Sequence, residues 1–295
     1  MSVKGKIVTD MIRFFTSQKM LGPKIQDGTL RKNLVEPPWH CPDEYLNLPI
    51  HMRQFEMELL TPKAADNGEV VLQLHGGGYI AKIRNAYRDF AVRYSKIDQY
   101  RVLSVDYRVA PQHPYPAAFQ DAIEAYRWLL YSGFSGDRII LAGDSAGGGL
   151  VLALAMYLRD QSMPLPKKLV MMSPWTDLTA SGPSYQENYE NDPLFGNTRE
   201  SMIYNGEYAG KQDPKLPYIS PLFGDFRGLP PMLFQVGSLE MLLSDSVLAA
   251  QKAKEAGCDV TLTVYQDMFH VFQLSMDKLA ESRAAWDEVA AFLGK

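Results

Sequence analysis

From about residue 50 onward, short apolar runs alternate with longer stretches of mixed polarity. Val70–Leu74, Arg101–Val105, Arg138–Ala142, Leu169–Met172, Met232–Val236 and Val260–Tyr265 are the predicted strands. Between them Pro116–Tyr131, Ala146–Arg159, Ser244–Ala256 and Asp277–Leu293 have helical periodicity. In the last, Leu279, Trp286, Val289 and Leu293 form one stripe. Gln54–Leu60 alternates less cleanly and is expected as an antiparallel edge strand. Unbroken apolar strands separated by helices imply an α/β protein with a mostly parallel sheet covered on both faces. No internal repeat or low-complexity tract interrupts the pattern.

Two regions stand outside the alternation. Near the N-terminus, Ile7, Val8, Met11, Ile12 and Phe15 share one helical face, with Lys4, Lys6 and Arg13 among the other positions. A membrane-surface helix has this pattern, but the sparse positive charge favours a helix laid over the protein itself. The second region, Ser181–Pro221, has no strand pattern and scattered aromatics (Tyr185, Tyr189, Phe195, Tyr204, Tyr208, Tyr218). So long a structureless loop is improbable inside a compact domain. It is expected to be a helical insertion over the functional edge of the sheet.

Composition narrows the class. The 295 residues are 46% hydrophobic and 22% charged, with a net charge of -4. That is enough apolar mass for one large core, and the charge gives no reason to expect nucleic acid as a partner. Cys41 and Cys258 have no metal-type spacing and suggest no disulfide framework, so a reducing cytoplasm is expected. No run approaches the roughly 18 apolar residues of a membrane span. The N-terminus lacks the continuous apolar region and cleavage site of a signal peptide.

The chemistry concentrates in "ILAGDSAGGGL" (Ile140–Leu150). A Walker-type phosphate loop would need Lys then Ser/Thr after the last glycine, but Leu150 and Val151 follow Gly149. In "LHGGGYIA", Gly76, Gly78 and Ala81 fit the loose dinucleotide pattern, and Asp106 ends the next strand where a ribose-binding acid would lie. A nucleophile reading uses more of the chain. In G-x-S-x-G, Ser145 would occupy a strained strand-to-helix turn crowded enough to require Gly143, Ala146 and Gly147. The N–H groups at the start of the following helix would receive charge developing on a substrate oxygen.

A serine nucleophile needs a base. Of His40, His51, His75, His113 and His270, only His270 follows Ser145, just beyond the last strand. The acid should lie between them at a strand end. Glu240, after Met232–Val236, is the first candidate and Asp245 the second; Asp267 is too near His270 in sequence. With Ser244 as an N-cap, Asp245 would have a sufficient reason to exist in the first turn of a helix. Ala146 and the glycines of His75–Gly78 are candidate oxyanion donors.

Together "LHGGGYI", "SVDYRVAPQHPYPAAFQDA", "GDSAGG", "SPWTDLT", "VGSLEMLLSDS" and "FHVFQL" resemble the hormone-sensitive-lipase-type carboxylesterases of bacteria, in the α/β-hydrolase superfamily. The resemblance implies an α/β-hydrolase fold with Ser145 as nucleophile, His270 as base and Glu240 as acid, and with Gly76, Gly77 and Ala146 donating to the oxyanion. It implies structural roles for Asp106, Tyr107 and Arg108, and a place for Asp144 just behind the reacting groups. It also implies one domain over residues 1–295, with a cap from about 1–41 and 181–221 and a core of about 42–180 and 222–295. The expected activity is hydrolysis of short-acyl esters without metal or cofactor. Expected partners are a small-molecule ester, no nucleic acid and no membrane, with a homodimer left open. A lactonase or amidase would use the same groups. A binding protein on this fold would be expected to lose the serine or histidine, and a nucleotide-dependent oxidoreductase would retain a bound cofactor.

Overall fold

The computed structural model describes residues 3–16, 36–195 and 207–294. Its centre is an eight-stranded sheet: β1 (Tyr45–His51), β2 (Glu56–Pro62), β3 (Val70–Leu74), β4 (Arg101–Asp106), β5 (Ile139–Asp144), β6 (Lys168–Met172), β7 (Met232–Gly237) and β8 (Val260–Tyr265). The spatial order is β1-β2-β4-β3-β5-β6-β7-β8. Only β2 is antiparallel to its neighbours; the other pairings are parallel.

Every residue of β3, β5, β6 and β7 is buried, which is why these strands read as unbroken apolar runs. The two-residue period sorts them between two cores. Leu72, Leu141, Met171 and Phe234 face one side, with α3 (Ala117–Tyr131), α4 (Ala146–Asp160) and α6 (Leu243–Glu255). Val71, Ile140, Val170 and Leu233 face the other, with α2 (Asn85–Asp98) and α7 (Ala280–Leu293). Helix α4 is packed nearly all round.

Several expectations change. Gln54–Leu60 does contain an antiparallel strand, but it is not at the edge, because β1 pairs outside it. Pro49 disguised β1 in the sequence, and an edge strand can accommodate a proline. Helix α2 was also missed. Its buried Tyr87, Phe90, Ala91 and Tyr94 have helical spacing, but Arg88, Asp89, Arg93 and Lys96 dilute the stripe.

The N-terminal helix α1 (Val3–Thr16) packs Val8 and Ile12 against Met268, Phe269, Phe272, Leu279 and Ala285, while Ile7 and Met11 remain exposed. It therefore lies on the protein, as the sparse charge suggested. The Phe15 and Arg13 side chains lie outside the described residues. The insertion is less helical than expected. Its described residues have one four-residue helix, α5 (Ser184–Glu187), and otherwise turns and bends. Tyr204 lies outside the described residues.

Candidate active site

Strand β5 delivers Ser145 into a turn with φ 52° and ψ -124°. This is backbone that a residue with a Cβ rarely adopts. The turn survives because its surroundings over-determine it. Ser145 N–H donates to Met172 O at 2.9 Å, and its carbonyl accepts from Trp175 N–H at 2.8 Å. The glycines are steric necessities: a Cβ on Gly143 would lie 2.5 Å from Gly147 O, and one on Gly147 would collide with Leu74 O. The result is a nucleophile-type elbow at the N-terminus of the buried helix α4.

The loop after β8 brings His270 to the same edge. Its Nε2 lies 2.9 Å from Ser145 Oγ and its Nδ1 lies 2.7 Å from Glu240 Oε2. Glu240 is fully buried. Its other oxygen accepts from Ser173 Oγ at 2.7 Å and from Gly237 N–H. Ser173 also accepts from Val271 N–H at 3.1 Å, so one hydroxyl ties the acid to the residue following the imidazole. Ser173 was missed in the sequence, although it opens the quoted SPWTDLT run. Burial pulls the His270 pKa down, but the hydrogen bond and charge of Glu240, with Asp192 and Asp144 nearby, outweigh it. The net shift is upward from the ordinary histidine value of 6.5.

Asp245 has another environment. One oxygen accepts from the N–H groups of Thr176 at 2.6 Å and Asp177 at 2.8 Å, fastening the chain after β6 to helix α6. Burial raises its pKa to about 8 against the pull of those donors. Asp245 does sit in the first turn of α6, but Ser244 does not cap it: the helix begins at Leu243. Ser244 Oγ accepts from Ser184 N–H at 2.8 Å instead.

The glycine loop after β3 faces Ser145. Gly76, expected as an oxyanion donor, is already committed: its N–H donates to Asp144 Oδ1 at 3.1 Å. Asp144 also accepts from Tyr87 O–H at 3.2 Å, and burial lifts its pKa to about 7. Gly77 and Gly78 line the cavity beside Ser145, and the N–H groups of Gly77, Gly78 and Ala146 have no acceptor among the described residues. His75 is buried, stacks on Tyr107 with ring centroids 4.1 Å apart, and bonds through Nδ1 to Gly76 O at 2.6 Å. Burial lowers its pKa to about 4, so it is neutral and holds the loop rather than acting as a base. Asp106 accepts from Ile83 N–H at 3.0 Å, and Arg108 pairs with Asp121 at 2.6 Å.

The cavity measures about 160 Å³. Trp175, Leu194, Phe195, Leu242 and Leu274 form much of its wall. The Phe195 and His270 ring centroids are 4.8 Å apart. Among the described residues, no group of three or more His, Cys, Asp and Glu side chains could hold a metal ion, and no helix is long and apolar enough to cross a membrane.

A family model for the alpha/beta hydrolase fold matches residues 71–274. The chain belongs to the α/β-hydrolase family. This α/β-hydrolase is 39% identical over 230 residues to an acetyl-hydrolase of Streptomyces hygroscopicus, a match covering 78% of this chain and 77% of the relative. It is 35% identical over 224 residues to an esterase of Acinetobacter venetianus, covering 76% and 74% respectively. A crystal structure of an esterase from the bacterial hormone-sensitive lipase family superposes with a TM-score of 0.85 at 35% identity, covering 99% of this chain and 98% of that one. The resemblance carried by the sequence motifs is thereby borne out.

Proposed function

We propose that this α/β-hydrolase is a serine carboxylesterase that cleaves short-acyl esters through an acyl-enzyme intermediate, with Ser145 as nucleophile, His270 as general base and acid, and Glu240 as the orienting anion. The observation that carries the reading is the unbroken relay from Ser145 Oγ to His270 Nε2, 2.9 Å, and from His270 Nδ1 to Glu240 Oε2, 2.7 Å. As Ser145 Oγ attacks the ester carbonyl, His270 takes its proton. Glu240 stabilises the imidazolium and holds the tautomer that keeps Nε2 free to accept. His270 then protonates the leaving alcohol, and water, activated by the same imidazole, releases the acid. The oxyanion donors are assigned to Gly77, Gly78 and Ala146, whose N–H groups have no other acceptor among the described residues. Gly76 acts one step back, through Asp144.

The size preference follows from the cavity. At about 160 Å³ with apolar walls, it lies below the roughly 300 Å³ at which pockets for drug-sized ligands begin. It suits acyl chains of roughly two to six carbons. The relatives named as esterases and acetyl-hydrolases agree with this chemistry. Residues 36–41 and 181–195 and the turns after 207 are assigned, with the N-terminal helix, to the cap. The test is a p-nitrophenyl ester series of increasing acyl length, with a lactone and an anilide alongside. The expected order is acetate and butyrate far above decanoate. Faster turnover of long chains would overturn the size assignment, and faster turnover of the lactone or anilide would overturn the ester assignment.

A further inference from the structure

We infer that Asp192 is a positioning residue for this reaction: its carboxylate fastens the Leu194–Phe195 wall of the cavity to the loop that carries Glu240, so that acid, imidazole and pocket wall are held as one unit. The inference rests on the roles proposed for Ser145, His270 and Glu240.

The geometry is specific. Asp192 lies in the insertion but is only 1% exposed. Its Oδ1 accepts from the N–H groups of Leu194 at 2.8 Å and Phe195 at 3.0 Å, closing a turn that presents both side chains to the cavity. Its Oδ2 accepts from Met241 N–H at 2.8 Å, the residue next to Glu240. Asn188 makes a parallel attachment: its side-chain amide donates to Ser238 O at 3.0 Å and to Glu240 O at 2.8 Å. Asn188 O in turn accepts from Asp192 N–H at 2.8 Å. The turn delivers the Phe195 ring to within 4.8 Å of the His270 ring, centroid to centroid.

A turn alone does not require this residue. One side-chain oxygen would close it, as asparagine commonly does. Asp192 spends both oxygens on three N–H donors, which favour the carboxylate, but burial outweighs them and its pKa is raised above the ordinary aspartate value. Burying that anion is costly without nearby positive charge, and the imidazolium formed during turnover supplies it. Three carboxylates raise the His270 pKa: Glu240 from the loop after β7, in direct contact with the ring, and Asp192 from the insertion and Asp144 from the end of β5 through their charge. Of the three, Asp192 is bonded to the Leu194–Phe195 part of the pocket wall, whereas Asp144 is bonded to Tyr87 on another part of it. Asp192 therefore links how strongly the site holds a proton to where the substrate is held.

Three variants separate these effects. Asp192→Asn keeps an acceptor for the turn but removes the charge. Asp192→Ala removes both, and Phe195→Ala removes the ring while leaving the carboxylate. Each is assayed with p-nitrophenyl butyrate across pH, and the His270 titration is followed directly by NMR. Asp192→Asn should lower the His270 midpoint and the acid limb of kcat/KM by a few tenths to about one pH unit, because an anion beside the imidazole favours its charged form. Phe195→Ala should raise KM by about 3- to 10-fold without that shift. Asp192→Ala should show both effects. If Asp192→Ala does not fold, the other two variants still decide the matter. An unshifted midpoint in folded Asp192→Asn, or an equal shift in Phe195→Ala, would overturn the inference. The NMR titration needs no turnover. If the wild type cleaves none of the esters yet Asp192→Asn shifts His270, the proposed function fails and the link between Asp192 and His270 stands without it.

Discussion

Glu240 and Asp245 belong to one short stretch of chain, and both carboxyl groups are buried, yet they belong to different machinery. Glu240 faces an ionisable ring: Oε2 meets His270 Nδ1 at 2.7 Å, while Oε1 is held by Ser173 and Gly237. Asp245 faces backbone, receiving the N–H groups of Thr176 and Asp177. In the proposed mechanism the first therefore meets a partner that gains positive charge during turnover. The second meets neutral donors, with the Asp177 carboxylate nearby, and burial lifts its pKa to about 8. Burial does not separate a reacting carboxylate from a structural one; the partner does.

The sharpest test of this contrast starts at the proposed nucleophile, Ser145, to which Glu240 and not Asp245 is connected through His270. Ser145→Ala should reduce kcat by about 10⁶-fold while leaving the thermal midpoint close to that of the wild type. An organophosphonate should label wild-type Ser145 and nothing in the variant. Next, Glu240→Gln should cost about 10³- to 10⁴-fold in kcat, as loss of the orienting anion does in a serine triad. Asp245→Asn should retain kcat within about tenfold. A dead, folded Asp245→Asn enzyme beside a near-normal Glu240→Gln enzyme would reverse the comparison.

Stability should give the opposite ranking. Asp245→Ala leaves two buried N–H groups without acceptors and should cost about 2–4 kcal/mol in chemical denaturation. Asp245→Asn can keep an acceptor for them and should cost no more than about 1 kcal/mol. The smaller of these figures matches what a helix-dipole role would have predicted, but the alanine variant separates the two explanations. A dipole role alone would cost at most about 1 kcal/mol in either variant.

The smallest effects are in pH dependence. His270 has a raised pKa, so the neutral base is lost as pH falls through a value above 6.5. The acid limb of kcat/KM should lie there and should move down in Glu240→Gln. For Asp245 the folded pKa is raised above the unfolded one. Its contribution to stability is complete below about pH 4 and is lost as pH rises through about 8. Wild-type stability should fall by about 1 kcal/mol between roughly pH 7 and 9, and this part of the fall should vanish in Asp245→Asn. Equal slopes for the two proteins would show that Asp245 is ionised throughout.

The parts of this protein that were legible in the sequence share a property: the constraint is local. The fully buried strands β3, β5, β6 and β7 appear as apolar runs because both of their faces are covered. Gly143 and Gly147 announce the elbow because a side chain at either would strike backbone. Helix α2 and strand β1 were harder to read. In α2, charged positions dilute the stripe; in β1, Pro49 contradicts the pattern that edge position permits. The engagement of the Gly76 N–H by Asp144 was hidden for another reason. A run of glycines shows that N–H groups can approach a site, not which of them a carboxylate 68 residues away in sequence has already engaged.

What the sequence determined by itself was strands β3 to β8, helices α3, α4, α6 and α7, and the family, with Ser145 and His270 as candidates for the site, because each follows from a short-range pattern or from order along the chain. The tertiary structure alone decided the rest. It brought Ser173 between Glu240 and Val271, turned Asp245 toward Thr176 and Asp177, and folded Asp192 back onto Met241. Each of these bonds joins residues about 50 to 100 positions apart, depends on direction, and forms only between groups already drawn out of water. Apolar patterning specifies which faces are buried; it does not specify which buried donor meets which buried acceptor. That pairing was set when the strands assumed their register and carried their loops to one edge of the sheet.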